Sequence, residues 1–255
     1  IKVNVYCAGE LVPPFGVFDA VSSGTADMYH SAEFYWGGKN KAYPFFAAVP
    51  FGMTAEEFNS WIYLGGGQQL WDELGSNYNL KHFVVGNTGS TLFGWFKNEL
   101  NSVDDISKIK IRSPGMGGDL LKSMGATPVN IAGGEILQAL SSGAIDAADW
   151  SNPVMDLAFG FYKVTKYCYY PDFKKPTVSI SLGMSLDKWN SFDDSTKSII
   201  QYACQSENQE MLSDFMYKEV RAIDKLKSLG VNFRKLPEDI VVEAKKNVTG
   251  VLDSY

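Results

Sequence analysis

The sequence predicts an α/β protein built in two lobes, and three observations carry that prediction. Short apolar strands alternate with helix-length segments through the middle of the chain, an alternation that argues for βαβ units and a largely parallel sheet. No low-complexity linker divides the 255 residues, so two lobes must be joined by several crossings, which is a hinge architecture. Aromatic residues make up 14% of the chain, with 13 Tyr, 16 Phe and 6 Trp. Aromatics bury large areas with few rotatable bonds and suit a core with a shaped ligand cleft.

Taken in order, Ile1-Lys-Val-Asn-Val-Tyr6 alternates apolar and polar with period two and reads as a strand. The chain starts without Met, a basic n-region or a signal-type apolar run, and the amino end reads as processed. Leu11-Val-Pro-Pro-Phe15 is a turn, Val17 to Ser22 is helical, and Thr25 to His30 reads as a short buried strand. Tyr43 to Phe51 is apolar and twice interrupted by proline, so it reads as a loop and strand edge. Thr54-Ala-Glu-Glu57 is a capping box that opens a helix carrying Phe58, Trp61 and Ile62. That helix stops near Gly65-Gly-Gly67, and a second follows through Leu70, Trp71 and Leu74. Lys81 to Val85 is a strand ending at Gly86-Asn-Thr-Gly89.

The alternation proper then begins. Lys108 to Arg112, Thr127 to Ile131 and Ala144 to Trp150 are strands, with helices from Gly117 to Met124 and from Glu135 to Ser142 between them. Lys166 to Tyr170 and Thr177 to Leu182 are strand-like, Asp193 to about Leu229 is a long helix, and another helix follows Pro237.

Composition excludes several classes. The formal charge is −6 and the pI near 5.0, with no Lys/Arg block, so nucleic acid is not an expected partner. No apolar run of about 18 residues marks a membrane-spanning helix. Cys7, Cys168 and Cys204 are widely spaced with no CxxC and read as buried free thiols, one disulfide being the alternative. With only His30 and His82, a zinc site of several His and Cys ligands is not expected. Gly89 to Gly94 has P-loop glycine spacing, but Trp95-Phe96 stands where Lys-Ser/Thr would hold phosphate. Gly115-Met-Gly-Gly118 lacks the third glycine of a dinucleotide fingerprint, and neither HExxH nor GxSxG occurs.

Three features point to a binding cleft. Arg112 ends a strand just before Ser113-Pro114-Gly115, where α/β sheets bind ligands and a guanidinium can grip a carboxylate, or where a surface Arg can pair with an Asp. Gly86-Asn-Thr-Gly-Ser-Thr91 offers small polar donors after a strand, for an anion or for an ordinary turn. Asp149 ends an apolar strand beside Trp150, where a carboxylate needs a cation, an Arg, helix N–H groups or solvent.

Together these runs resemble a family. Ile109-Lys-Ile-Arg-Ser-Pro-Gly115, Met124 to Asn130, Gly133 to Leu140 and Gly143-Ala-Ile-Asp-Ala-Ala-Asp-Trp150 resemble, in order, the solute-binding proteins of TRAP transporters, the DctP-like type. Val21 to Met28, Val49-Pro-Phe-Gly52, Gly86-Asn-Thr-Gly89 and Asp156 to Gly160 agree, so the resemblance covers almost the whole chain. Asp149-Trp150 and Tyr167-Cys-Tyr-Tyr-Pro171 are most similar to the branch that binds small 2-oxo or 2-hydroxy monocarboxylates together with a cation.

The resemblance implies a two-lobed α/β clamp like a periplasmic binding protein, with mixed sheets and a long spanning helix. Lobe 1 is expected at residues 1–85 with about 151–176, lobe 2 at 86–150 with about 177–192, and the long helix and carboxyl-terminal helical segment at about 193–255. It also implies that Arg112 pairs with the ligand carboxylate, and that Asp149 and the Trp150 carbonyl, with Thr91, ligate Na+ or Ca2+. Asn87, Thr91, Tyr35, Trp36, Trp150 and Asn152 are the other expected ligand contacts, and Phe34, Tyr35, Trp36 and Trp150 read either as aromatic walls of the cleft or as core. The branch carries Gln where Thr91 stands and Glu where Asp149 stands, so the ion site is expected to be smaller, water-completed or lost. Against the family, the amino end is expected to lack a preceding strand and helix, and the carboxyl end to stop short of the terminal helices.

The function implied is an extracytoplasmic receptor, without catalysis or catalytic cofactor. It would capture a small organic carboxylate such as pyruvate or lactate for TRAP permease subunits in the periplasm, and a homodimer is compatible with it. The rival classes are a lyase-like enzyme using Asp149 as base and a ligand-sensing domain of the same fold.

Overall fold

The computed structural model describes residues 2–255. The first third holds α1 (Val17–Ser22), β1 (Met28–Ser31), α2 (Ala55–Leu64), α3 (Gly67–Ser76) and β2 (Leu80–Asn87). The middle holds β3 (Gly94–Phe96), α4 (Val103–Ile106), β4 (Lys110–Arg112), α5 (Gly115–Ser123), β5 (Thr127–Val129), α6 (Gly133–Ser142) and β6 (Ala147–Ala148). The remainder holds α7 (Pro153–Phe159), β7 (Tyr167–Tyr170), β8 (Ser179–Ser185), α8 (Leu186–Asn190), α9 (Asp194–Ser228), β9 (Asn232–Lys235) and α10 (Glu238–Leu252).

Two sheets organise two lobes. The first lobe has the antiparallel sheet β1-β8-β2, and α1, α2 and α3 cover it through Phe18, Val21, Phe58, Ile62, Trp71 and Leu74. Inside this core Glu33 accepts hydrogen bonds from Tyr29 Oη at 3.1 Å and Ser181 Oγ at 2.5 Å, while His82 Nε2 lies 3.1 Å from Tyr29 Oη. The second lobe has the order β5-β4-β6-β3-β7-β9. Its β5-β4-β6 part is the expected parallel βαβ unit, whereas β3 is inserted antiparallel between β6 and β7, and β9 runs parallel to β7. The sheet is therefore mixed rather than largely parallel.

The capping box forms as expected: Thr54 Oγ1 accepts from the Glu57 N–H and Glu57 Oε2 accepts from the Thr54 N–H. The long helix α9 is capped by Asp193, whose Oδ1 accepts from the Thr196 N–H at 2.7 Å. At 35 residues it reaches about 50 Å, at 1.5 Å per residue. That length lets one helix serve both lobes. Met211 lies over Gly86 of β2, where an added Cβ would come within 2.3 Å of Met211 Sδ, while Leu226 sits in the core of the second lobe. Among the described residues no helix is long and apolar enough to cross a membrane.

Several expectations are corrected. The crossing segments attach the other way round: β7, expected in lobe 1, extends the second sheet through β3, and β8, expected in lobe 2, is the central strand of the first. Each has an apolar face that either sheet could bury, so only pairing decides. Residues 2–6 form no strand and are exposed, because no neighbouring strand offers them a ladder; Ile1 lies outside the described residues. Residues 43–51 make a single 3₁₀ turn at Tyr43–Phe46 and no strand edge. All three cysteines are free, as expected, but Cys7 is exposed rather than buried.

Candidate functional site

Three passages join the lobes: residues 88–93, residues 171–178, and α9. The first two run side by side. Thr88 N donates to Val178 O at 3.0 Å, Val178 N donates to Thr88 Oγ1 at 3.0 Å, and Thr177 Oγ1 lies 2.5 Å from Asn87 Oδ1. Thr91 Oγ1 sits between Asp172 Oδ2, 3.1 Å away, and the Lys175 carbonyl. Asn152 Oδ1 caps α7, accepting from the N–H groups of Val154 and Met155, and Asn152 Nδ2 donates to Thr88 O at 2.8 Å. Thus the polar groups of Thr91 and Asn152, expected on the ligand, tie the two crossings and α7 together. Asn87 shares that task through Oδ1, and its buried Nδ2 has no acceptor among the described residues.

The charged groups stand at the carboxyl edge of the second sheet. Arg112 ends β4 and Asp149 follows β6, its parallel neighbour, with Asp149 N donating to Arg112 O at 2.9 Å. Topology therefore brings both to one edge, the edge where open α/β sheets bind ligands. Arg112 is 1% exposed. Its Nε donates to Ile131 O at 3.1 Å, Nη1 to Asp149 O at 3.0 Å and Nη2 to Tyr35 Oη at 2.6 Å. A guanidinium has five N–H donors, so one on each terminal nitrogen remains for a further acceptor.

Asp149 is fully buried. Its Oδ2 accepts from Ser113 Oγ at 2.5 Å, its Oδ1 lies 3.1 Å from Lys175 Nζ and 3.6 Å from Arg112 Nη1, and Lys174 Nζ stands 3.7 Å from Oδ2. Burial alone would raise its pKa, but the charges of Lys175, Lys174 and Arg112 and the Ser113 hydrogen bond outweigh it and hold the carboxyl below its ordinary value. Lys174 Nζ donates to Phe93 O and Asp172 Oδ1, both at 2.7 Å, and lies 3.9 Å from the Phe93 ring centroid. Lys175 Nζ donates to Asp149 Oδ1 and to Trp150 O, both at 3.1 Å. Asp156, below the cluster, accepts from Trp95 Nε1 at 2.6 Å and Ser151 N at 3.0 Å, and burial pushes it up to about 7. Three buried cations against Asp149 and Asp172 leave a net charge of +1, offset only in part by Asp156 at neutral pH.

Aromatic groups bound the guanidinium. The Trp150 ring centroid lies 5.0 Å from Arg112 Cζ, and the Tyr35 centroid 5.9 Å. Phe34 packs on Gly115, whose φ of +63° suits glycine and where a Cβ would meet Phe34 Cβ at 2.8 Å. Tyr35 and Phe34 belong to the first lobe and Arg112 and Gly115 to the second, so the two lobes touch here. Trp36, expected as a wall, is instead core: it packs on Phe18 and Tyr29, away from the cleft.

A separate cavity lies in the first lobe, away from this cluster. About 660 Å³ opens in the first lobe among Phe45, Phe46, Phe58, Trp61 and Leu70, and Glu73 is its only charged lining residue. With no cation to meet a carboxylate, that space does not suit an anionic ligand, whereas the enclosed Arg112 cluster holds three buried cations.

Sequence reasoning missed Lys174, Lys175, Asp172 and Ser113. A Lys-Lys pair before Pro176 reads as a solvated turn, and buried lysines are rare unless paired. Their burial also bears on the expected ion site. Both oxygens expected to ligate an ion, Asp149 Oδ1 and Trp150 O, hold the Lys175 ammonium, and Thr91 is turned to Asp172. An ion on these two oxygens would have to occupy the ammonium's position.

Comparison with known proteins agrees with this architecture. The family model described as bacterial extracellular solute-binding protein, family 7 (DctP) matches residues 1–255. The chain is 35% identical over 245 residues, 96% of this chain and 67% of the relative, to the monocarboxylate 2-oxoacid-binding periplasmic protein of Nostoc sp.. A TRAP transporter solute-binding protein from Bordetella bronchiseptica RB50 was crystallised as a mixed-occupancy dimer, with calcium and picolinate in the bound site. It superposes with a TM-score of 0.97 at 31% identity, covering 100% of this chain and 76% of that one. A TRAP periplasmic solute-binding protein from Pseudoalteromonas atlantica T6c, with bound sodium and pyruvate, gives a TM-score of 0.91 at 34% identity, covering 94% and 74%. Matched along its whole length, with the two sheets and the long helix in place, this chain belongs to the DctP family of TRAP transporter solute-binding proteins.

Proposed function

We propose that this chain captures a small 2-oxo or 2-hydroxy monocarboxylate, of the size of pyruvate or lactate, in the periplasm and presents it to the membrane subunits of a TRAP transporter. One observation carries the reading. Arg112 is buried between Tyr35 and Trp150 with three donors anchored and one N–H free on each terminal nitrogen, inside a cluster of net charge +1. A planar carboxylate matches those two donors, and its charge neutralises the cluster. A dicarboxylate would bring a second buried charge with no cation to meet it. The Nostoc relative, named for 2-oxo acid binding, and the pyruvate in the Pseudoalteromonas relative support the same ligand class.

The enzyme alternative would use Asp149 as a base. A carboxyl held below its ordinary value, with Ser113 and Lys175 on its two oxygens, is a weak base. That favours a receptor that binds without turnover. A homodimer, the form of the Bordetella relative, is a further proposal, read out by light scattering.

The test is a thermal-shift screen followed by calorimetry and recovery of the ligand. Pyruvate, 2-oxobutyrate and lactate are expected to raise the melting temperature by mass action and to be recovered unchanged. Succinate is expected to leave it unmoved. Succinate binding better than pyruvate, or conversion of the ligand, refutes the reading.

A further inference from the structure

We propose that Lys175 is a built-in cation: its ammonium does the work that a co-bound sodium or calcium ion would do beside the ligand, so that this chain binds its carboxylate without any added ion. The inference rests on the Arg112 cleft being the ligand site, as proposed above.

Four observations carry it. Lys175 Nζ is 3.1 Å from Asp149 Oδ1 and 3.1 Å from Trp150 O, ordinary lengths for an ammonium donating to a carboxylate and a carbonyl. A calcium ion would need the same two oxygens at roughly 2.3–2.6 Å and several more around it. One position cannot hold both cations. Second, the ammonium is not free to leave. Lys175 is 2% exposed, its carbonyl faces the Thr91 hydroxyl, and Pro176 fixes the chain after it. An ion that displaced Nζ would push a charged head into surroundings already filled by buried groups.

Third, the lysine has a donor to spare. An ammonium carries three N–H groups, and two are placed on Asp149 and Trp150. The third has no acceptor among the described residues and is left for an oxygen of the ligand. Lys174 is committed elsewhere: Phe93 O and Asp172 Oδ1 engage its Nζ, which also lies over the Phe93 ring, and its nearest Asp149 oxygen is 3.7 Å away. Fourth, the charges balance. A buried Asp149 and a ligand carboxylate in one cleft repel unless two positive charges separate them, and Arg112 with Lys175 supplies both.

The test compares pyruvate binding by calorimetry in chelated, sodium-free buffer and in the same buffer with sodium or calcium restored. The wild-type dissociation constant is expected to change by no more than about threefold, because the cation is covalently attached. Lys175→Gln is expected to bind roughly tenfold or more weakly without ions, the loss of one charge-assisted bond, and to recover part of that loss when calcium is added. Calcium titrated alone, without any acid, should give a binding heat with Lys175→Gln and none with the wild type. A wild-type protein that loses more than about tenfold affinity on ion removal, or that takes up one calcium by itself, overturns the proposal. If no 2-oxo or 2-hydroxy acid binds in either buffer, the ligand reading fails, and the calcium-only arm still decides the role of Lys175. Should Lys175→Gln not fold, the two wild-type measurements alone uphold or overturn the built-in cation.

Discussion

Replacing Arg112 by Lys keeps the charge and removes the fork, which makes it the sharpest probe of the cleft. The guanidinium holds Ile131 O, Asp149 O and Tyr35 Oη and leaves two N–H groups unanchored, the pair proposed to meet the ligand. An ammonium has three donors in all. If it serves Asp149 O and Tyr35 Oη, one donor remains for the carboxylate, so Ile131 O and one ligand oxygen lose their partners. A hydrogen bond involving a charged group is worth about 1.5–3 kcal/mol, which converts to about 10- to 150-fold weaker binding. The orphaned Ile131 carbonyl should also lower stability by about 1–3 kcal/mol. Arg112→Ala goes further, taking the cluster's net charge from +1 to zero, and should abolish binding at accessible ligand concentrations. Calorimetry with pyruvate reads the affinity, and a thermal melt confirms that each variant is folded. A folded Arg112→Lys protein whose affinity stays within about threefold of wild type removes the fork from the mechanism, and a folded Arg112→Ala protein that still binds removes the residue.

Two further outcomes are expected. Burial raises Glu33 to about 8 and Asp156 to about 7 and lowers His82 to about 3. Between pH 6.5 and 8 the unfolded chain holds at most about half a proton on His82, while the folded chain holds protons on the two acids that the unfolded chain has released, so the folded chain binds more protons. Stability must therefore fall as pH rises through that window, by up to about 1.4 kcal/mol per unit for each acid, and Glu33→Gln should flatten the fall in a pH series of melts; a melting temperature that climbs from pH 6.5 to 8 contradicts the assignment. Gly118→Ala would place a Cβ 2.1 Å from the Ser113 carbonyl, which cannot shift without moving Ser113 Oγ off Asp149, whereas Gly134 has open space around it. The first substitution should destabilise by about 1–3 kcal/mol or more and weaken ligand binding, the second should be neutral or slightly stabilising, and equal melting temperatures for the two would show that the loop yields freely.

The fold was legible wherever a local pattern decides the element. The Thr54–Glu57 box places the start of α2 because both of its hydrogen bonds are made within one turn. The β4-α5-β5-α6-β6 run is readable because each strand is followed at once by the helix that covers it. Strand partners are another matter. The β7 and β8 strands are both short and apolar, and each could complete either sheet; they went opposite ways because residues 171–178 return across the hinge against residues 88–93. Gly94–Phe96 is three residues long, too short for a period, and only its antiparallel insertion between β6 and β7 makes it a strand. Residues 2–6 show the converse, a clean alternation with nothing to pair against.

The site divides along the same line. Arg112 and Asp149 could be found from sequence because each stands at the carboxyl end of a βαβ strand, and neighbouring parallel strands must deliver them to one edge. Phe34-Tyr35-Trp36 could be marked as aromatic walls but not sorted, since a 3₁₀ turn points successive side chains about 120° apart. Two of the three therefore face the second lobe and the third enters the core. Lys175 had no local mark at all. Its neighbours are a Lys and a Pro, the composition of a wet turn, and its burial depends on a carboxylate 26 positions earlier in the chain. A lysine is drawn inward only when a partner charge is already fixed there and its remaining donors have acceptors. Asp149 and the Trp150 carbonyl meet that condition because β6 holds them at the sheet edge, so the strand that makes the anion readable is also what makes the cation beside it necessary.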